Sequence, residues 1–364
     1  MKRTLGIVST TYHLLVFLFL KEIYLKDSQI DLIVTDKTPY LEKVYKSGRL
    51  NPYFHRVLFA DGRKIQNPYK SAAVTFFESF LYNPTTKKIL SGKLDNYDDV
   101  YYASPHVPDE IVKEIGKTLI RQSRNIRFHR FEDGFASYTK TPVPFINTEA
   151  GQKMYQKLLG YDIHKMEHEL YMFEPYLAEA DISFDKIRIE KTPEIIDRVI
   201  KMAKNIFAFE SKEFSEKFLF LGQGTANGMG NPETYQSLIY EICQKAGHHD
   251  FIVKPHPRGV YDKFDSTISI YEDSCPFELA MANGLLEDKV LISYYSTACV
   301  SGKLLFQSKC KIIFLYPLAG DSFNEKCDYE EYFRKLQETC EGIYIPRSRE
   351  ELFGLVEEFT HFAP

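Results

Sequence analysis

"TLGIVSTTYHLLVFLFLKEIYL", residues 4–25, decides the fold. "TLGIVS" has the length and apolar character of a buried strand, Ser9, Thr10 and Thr11 make a polar break, and "YHLLVFLFLKEIYL" is long enough for a helix. The stretch also begins like a leader, with a charged start and an apolar run. That run is only Leu14 to Leu20, five polar or amphipathic residues (Ser9 to His13) precede it, and no small-residue cleavage site follows. It therefore reads as the start of a cytosolic chain. Nothing elsewhere reaches the roughly 18 apolar residues that a spanning helix needs.

Outward from this unit the alternation repeats. "QIDLIVTD" (29–36), "FHRVLFAD" (54–61), "DDVYYAS" (98–104) and "NIRFHRFEDG" (125–134) read as strands, with helices "YLEKVYKSG" (40–48) and "DEIVKEIGKTLIRQS" (109–123) among them. Residues 147 to about 190 are less regular, and "KTPEIIDRVIKMAKNIFAF" (191–209) is a helix with Pro193 near its start. A second series follows: strands "KFLFLGQG" (217–224), "DFIVKPHP" (250–257), "KVLISYYST" (289–297) and "CKIIFLYP" (310–317), separated by helices "PETYQSLIYEICQKAG", "CPFELAMANG" and "CVSGKLLF". Strands alternating with helices imply parallel sheets, so the chain is α/β with two doubly wound, Rossmann-like domains. The expected division is 1–190 and 191–364, with the closing helix "REELFGLVEEFTHF" able to pack back on the first domain. Such pairs take ligands in the cleft facing the carboxyl ends of their strands. "AAVTFFESFLY" (72–82) reads as a core helix and "NPTTKKILSGKLD" (83–95) as an exposed segment.

Composition narrows the partner. The 364 residues are 44% apolar and 26% charged, as in a globular protein, and a net charge of −4 leaves no basic footprint for nucleic acid. A small molecule or sugar chain fits better. The 25 Tyr and 28 Phe mostly fill cores, and six cysteines without a CxxC pair read as reduced thiols.

Chemistry-bearing residues gather at predicted strand ends. Lys254, His256 and Arg258 emerge where "DFIV" leaves the second sheet, and Pro255 and Pro257 fix φ on both sides of the imidazole. Histidine titrates near neutrality and can donate to a departing phosphate oxygen. Ser296 and Thr297 close another strand and open a helix, where hydroxyls and unpaired N–H groups meet a positive dipole end. Glu278 starts the intervening helix behind Pro276 and is placed to accept two ribose hydroxyls. Together these describe a nucleotide site, without the Walker or GxGxxG patterns of other nucleotide binders. Gly222, Gln223, Gly224 and Thr225 follow the "FLFL" strand and suit a donor pocket lined by backbone N–H groups. In the first domain Gly134 permits a tight turn that turns Glu132 or Asp133 outward as a base. Thr10, Thr11 and His13, at the first strand's end, offer an acceptor-binding group or, equally, a helix cap with a partly buried histidine. His248 with His249, and His164 with His168, read as structural or surface pairs.

Glu132-Asp133-Gly134, His256-Pro257 and Ser296-Thr297, in that order, resemble the motif set of bacterial sialyltransferases. With the "LGQG" strand end and the "IVSTTYHLL" start, the chain looks most like glycosyltransferase family 52, the lipooligosaccharide and capsule sialyltransferases. The resemblance implies a GT-B fold, with acceptor held by the first domain (Thr10, Thr11, His13, Glu132) and CMP-sialic acid by the second. It implies inverting transfer to a galactose hydroxyl, O3 first with 2,6 and 2,8 linkages left open, and with no metal or other cofactor. His256 would assist the departing phosphate, Ser296 and Thr297 would hold its oxygens, and Lys254, Pro257 and Glu278 would line the nucleotide. The base is Asp133 by analogy with one related family. By analogy with family 52 it is a carboxylate after the "GQ" strand, where Glu233 is the only acid. Family context adds a cytoplasmic enzyme at the inner membrane face, commonly a dimer. The competing expectations are a GT-B enzyme using a UDP- or GDP-hexose, and a non-catalytic nucleotide-binding protein.

Overall fold

The computed structural model describes residues 1–35, 39–60, 96–103, 126–139, 167–179, 185–211, 213–222, 232–256, 266–271, 276–318 and 329–361, together with Leu94, Leu119, Lys153 and Phe264. Contacts divide the chain into two compact units, Met1–Ala208 and Phe209–Pro364.

The first unit is built on a seven-stranded parallel sheet. Strands β1 (Lys2–Val8), β2 (Ser28–Thr35), β3 (Arg56–Ala60), β4 (Asp99–Ala103), β5 (Arg127–Phe131), β6 (Glu167–Met172) and β7 (Asp185–Arg188) lie in the order β3-β2-β1-β4-β5-β6-β7. The opening stretch does what its pattern predicts. β1 buries its last five residues, and α1 (Thr11–Tyr24) buries an unbroken run from His13 to Leu20. A helix apolar on every side belongs in a core, and each such Leu or Phe contributes about 1.5–3 kcal/mol of burial. The short α2 (Pro39–Lys46) follows β2. Strands β6 and β7 fall where the sequence looked irregular, and they extend the sheet by pairing in parallel with β5 and with each other.

Helix α3 (Pro193–Phe207) belongs to this first unit, which moves the boundary from residue 190 to residue 208. Thr192 caps it, Pro193 supplies the pre-set φ of its first turn, and Ala208 ends it in the left-handed region at φ 49°. Its buried face, Ile196 to Phe207, is matched by a hydrogen-bonded ion pair from Arg198 Nε to Glu22 Oε2 of α1 at 3.0 Å. Tyr40 stacks on Phe207 and donates to its carbonyl at 3.2 Å.

The second unit repeats the winding with six strands: β8 (Phe218–Leu221), β9 (Phe251–Lys254), β10 (Ser269–Ile270), β11 (Val290–Ser293), β12 (Lys311–Phe314) and β13 (Ile343–Tyr344), in the order β10-β9-β8-β11-β12-β13. All are parallel. Between and beyond them lie α4 (Pro232–Ala246), α5 (Phe277–Ala282), α6 (Thr297–Phe306), α7 (Tyr329–Thr339) and α8 (Arg349–His361). The closing helix α8 has its described packing within the second unit. Leu352, Val356 and Phe359 join the core formed by β8, β9 and α4, and Arg349 pairs with Glu241 of α4 at 2.9 Å.

Both sheets reverse direction of strand addition at their first strand, between β1 and β4 and between β8 and β11. That reversal opens a crevice at the carboxyl ends of the strands, the ligand position of doubly wound sheets. Among the described residues no helix is long and apolar enough to cross a membrane. Cys243, Cys299, Cys310 and Cys340 are free thiols. The expected helices at 72–82 and 109–123, the segment at 83–95 and the His164–His168 pair lie outside the described residues, apart from Leu94 and Leu119, both buried, and the backbone of His168. His248 and His249 are exposed, with His248 Nδ1 3.4 Å from Cys243 Sγ.

Candidate active site

In the first unit the carboxyl ends of β1 and β5 are tied together by α1. Thr10 caps α1, its hydroxyl accepting the His13 N–H at 3.1 Å, and so aims Tyr12 and His13 at the chain leaving β5. Two consecutive side chains of the helix then meet two consecutive acids. Tyr12 donates to Glu132 Oε1, and His13 Nε2 bonds Asp133 Oδ1. Gly134, at φ 70°, makes the turn required of it and opens a short 3-10 helix, Gly134–Ser137.

The two acids have opposite fates. Glu132 has no exposed surface, and its Oε2 accepts from the Tyr138 hydroxyl and from the Phe173 N–H, the latter at 2.8 Å. Burial pushes its carboxyl up, against the opposing pull of those donors and of the Lys191 charge. A sealed carboxyl cannot meet a sugar, so the expected acceptor role of Glu132 gives way to a structural one. Asp133 keeps a third of its side chain exposed. Its own N–H donates to Ser137 Oγ at 2.7 Å. His13 is 3% exposed and faces inward, which places it behind Asp133 rather than against an acceptor. Thr10 and Thr11 are half-buried, with the Thr10 hydroxyl occupied as the cap.

In the second unit the nucleotide motifs leave the two strands that flank β8. Lys254 ends β9, and Pro255 and His256 follow it half-buried. Ser296 caps α6, accepting the Ala298 N–H at 3.3 Å, and Thr297 is the first helical residue. With strands about 4.8 Å apart, β9 and β11 stand roughly 10 Å from each other across β8. Ser293, the last residue of β11, links the parts: its hydroxyl donates to the Leu221 carbonyl at 2.9 Å and accepts the Ser296 N–H at 3.2 Å.

Gly222 serves this region differently from its expected role at a phosphate. Its N–H is used by the Lys254 carbonyl at 2.9 Å, and a Cβ there would lie 2.9 Å from the His256 nitrogen and 3.2 Å from the Lys254 oxygen. The glycine lets the chain leaving β8 lie against the Lys254-Pro255-His256 backbone. Glu278 also departs from expectation. It is 7% exposed between α5 and α6, where Ser301 Oγ donates to it at 3.1 Å. Burial pushes its carboxyl up, with its own N–H, Ser301 and the Lys254 charge opposing. It braces two helices instead of reaching out to a ribose. Gln223, Gly224, Thr225, Pro257 and Arg258 lie outside the described residues, and Glu233 is the second residue of α4.

Tyr138, Ser137 and Ser293 are the supporting residues that motif reading passed over, and Tyr12, grouped there with Thr10, Thr11 and His13, is engaged with Glu132. The only sequence signal for Tyr12 is its place beside His13 in a helix's first turn. Tyr138 and Ser137 follow the acidic turn, and nothing in their order shows which way they point.

Two doubly wound units with these strand-end clusters define a GT-B glycosyltransferase fold, and solved structures agree. The chain is similar to the glycosyltransferase of kitacinnamycin, at 10% identity over 99% of this chain and 91% of that one, with a TM-score of 0.53. It is similar to the spinosyn forosaminyltransferase SpnP at 12% identity over 100% and 96%, with a TM-score of 0.52. It is also similar to an alpha/beta-galactoside alpha-2,3-sialyltransferase from the luminous marine bacterium Photobacterium phosphoreum, at 12% identity over 94% and 98%, with a TM-score of 0.50. The sequence matches no curated protein. Residues 4–314 match the model of the alpha-2,8-polysialyltransferase family, and the chain belongs to that family. The resemblance to family 52 thus holds at the level of the sialyltransferase class, while the matching family is this one.

Proposed function

We propose that this protein transfers sialic acid from CMP-sialic acid to a glycan hydroxyl, with inversion and without a metal or other cofactor. The observation that carries the donor half is the placement of His256 and of Ser296 with Thr297 on the two strands flanking β8, at the carboxyl edge of a sheet that reverses there. A phosphate held at that edge meets a helix N-terminus and a cationic side chain, Lys254. In the reaction the bond from the sugar's anomeric carbon to the phosphate oxygen breaks, and the electron pair leaves with CMP. His256 donates to that oxygen, and Ser296 and Thr297 with the first N–H groups of α6 take up the remaining charge. Asp133 removes the acceptor hydroxyl's proton as the oxygen closes on the oxocarbenium-like centre. Asp133 is preferred to Glu233 because its carboxylate is part-exposed and held by a defined partner.

The family description favours O8 of a terminal sialic acid as the acceptor, ahead of the galactose O3 implied by the motif resemblance. Oligosialic acid and a terminal galactoside, each offered with CMP-sialic acid, separate the two. A cytoplasmic place at the inner membrane face, capsular or lipooligosaccharide acceptors and a homodimer follow from the resemblance alone. The donor is tested by thermal shift: CMP should stabilise the protein more than UDP or GDP. Stabilisation by UDP or GDP and not by CMP would replace this reading with a hexosyltransferase. Binding of CMP with no transfer to either acceptor would replace it with a nucleotide-binding protein.

A further inference from the structure

The buried histidine of the first unit has a hydrogen-bond arrangement that fixes both its tautomer and its role. Nδ1 of His13 accepts the Ser9 N–H at 3.2 Å, so that nitrogen carries no proton. Nε2 must then carry the ring's hydrogen, and it donates to Asp133 Oδ1. Ser9 is held in turn by the Thr35 hydroxyl, which donates to Ser9 Oγ at 2.7 Å from the end of β2. The ring also packs edge-on against Phe131, the residue that ends β5, with centroids 6.1 Å apart. Four separate elements (β1, β2, α1 and β5) thus set one imidazole in one orientation.

We propose that His13 is a positioning residue for the base, an assignment that rests on the reading of Asp133 given above. The order is the reverse of a Ser-His-Asp triad, where the carboxylate is buried and the imidazole exchanges protons. Here the imidazole is buried and the carboxylate is part-exposed. A proton leaving the acceptor hydroxyl ends on the Asp133 carboxylate, which becomes a neutral acid and later releases it to water. His13 is not the group that takes the proton: its Nδ1 is occupied by the Ser9 N–H and its Nε2 faces Asp133 Oδ1. Its contribution is geometric: the Nε2–H bond to Oδ1, together with the tie from the Asp133 N–H to Ser137, holds the plane of the carboxylate. Tyr12 and Tyr138 are both engaged with the neighbouring Glu132.

The test compares His13→Phe, which removes the donor and keeps a ring, with His13→Gln, whose amide N–H reaches about where Nε2 lies, and His13→Asn, whose amide falls short. Asp133→Asn is the reference. Expected for His13→Phe is a fall in kcat on the order of 10²-fold with an unchanged KM for CMP-sialic acid. His13→Gln should recover at least about tenfold of that loss, and His13→Asn should not. A role confined to folding would lower the melting temperature of the Phe and Asn variants without this ordering of kcat. Turnover of His13→Phe within about twofold of the parent, or equal turnover of the Gln and Asn variants, overturns the proposal. If the Phe variant does not fold, the Gln and Asn pair decides. Loss of turnover in Asp133→Asn together with an unaffected His13→Phe rejects the positioning role and leaves the base assignment standing. Full turnover in Asp133→Asn rejects the base itself.

Discussion

The two strand-end clusters are held by different means. In the first unit the side chains of the cluster are bonded to other side chains, Tyr12 to Glu132 and His13 to Asp133, across 120 positions of sequence. Among the described contacts of the second unit, main-chain groups take part in each bond that shapes the edge: the Gly222 N–H with the Lys254 carbonyl, and the Ser296 N–H and Leu221 carbonyl with the Ser293 hydroxyl. The difference suits the chemistry proposed for each. A base needs one carboxylate plane and one protonation state, which side-chain partners define. A phosphate site needs donors left facing outward, so its scaffold is better secured from behind by main chain.

The comparison is broken most sharply by removing one reactive group from each side. Asp133→Asn and His256→Ala should each lower turnover by 10²-fold or more, in line with what positioned acid and base groups contribute. Only His256→Ala should also weaken the stabilisation by CMP. If Asp133→Asn weakened CMP binding and His256→Ala did not, the assignment of donor and acceptor chemistry to the two clusters would be reversed.

A second, smaller effect tests the backbone scaffold. Gly222→Ala places a methyl group 2.9 Å from the His256 nitrogen, so main chain has to move and the substitution should cost about 1–3 kcal/mol in chemical denaturation. CMP binding should weaken in parallel, while a fluorescence or exchange probe on the first unit should not respond. An unchanged denaturation midpoint would mean that the close approach carries no load.

The pH dependence of stability separates the buried acids. Burial raises the carboxyls of Glu132 and Glu278 above the unfolded value of 4.5, so their stabilising contribution is full below that value and is lost as pH rises through the raised native value. Glu132→Gln and Glu278→Gln should each flatten that loss, seen in denaturation midpoints from about pH 4 to about pH 8. Asp99, at the amino edge of the first sheet, runs the other way. Burial alone would raise it, but hydrogen bonds and charge from His129 and Lys2 outweigh burial and hold it to about 2. Its contribution is present above the unfolded value of 3.8 and is lost as pH falls toward 2, and Asp99→Asn should remove that acid-side loss.

The smallest effects are at the two helix caps. Thr10→Ala and Ser296→Ala should each cost about 1 kcal/mol of stability, since each hydroxyl accepts one N–H of a first turn. Only Ser296→Ala should also raise the KM for the donor. Equal donor KM values in the two variants would make Ser296 a cap and nothing more.

Much of this was legible in order and period alone. Apolar runs alternating with helical stretches place β1 to β5 and β8, β9, β11 and β12, and parallel winding sends the residues after each run to one sheet edge. That is why Lys254, His256, Ser296, Thr297 and Asp133 could be picked out as strand-end residues. Strands β6 and β7 were missed because "EHELYM" and "DKIR" mix charges into edge positions and give no clean alternation. The boundary at 208 was missed because an amphipathic helix shows that one face is buried but not which sheet it covers.

The fates of individual acids were the least legible. Glu132 and Asp133 are equal candidates in the sequence, and Glu278 is a reasonable ribose ligand for any helix start. Sequence alone determined that this chain forms two parallel sheets and that its titratable motifs stand at their carboxyl edges, because period and order act locally. Only the tertiary structure decided that Glu132 turns inward, that Asp133 stays partly in water and that Glu278 braces α6. Those choices depend on partners far away in the chain, on α1, on the strand end at Phe173 and on Ser301, whose approach no local pattern encodes.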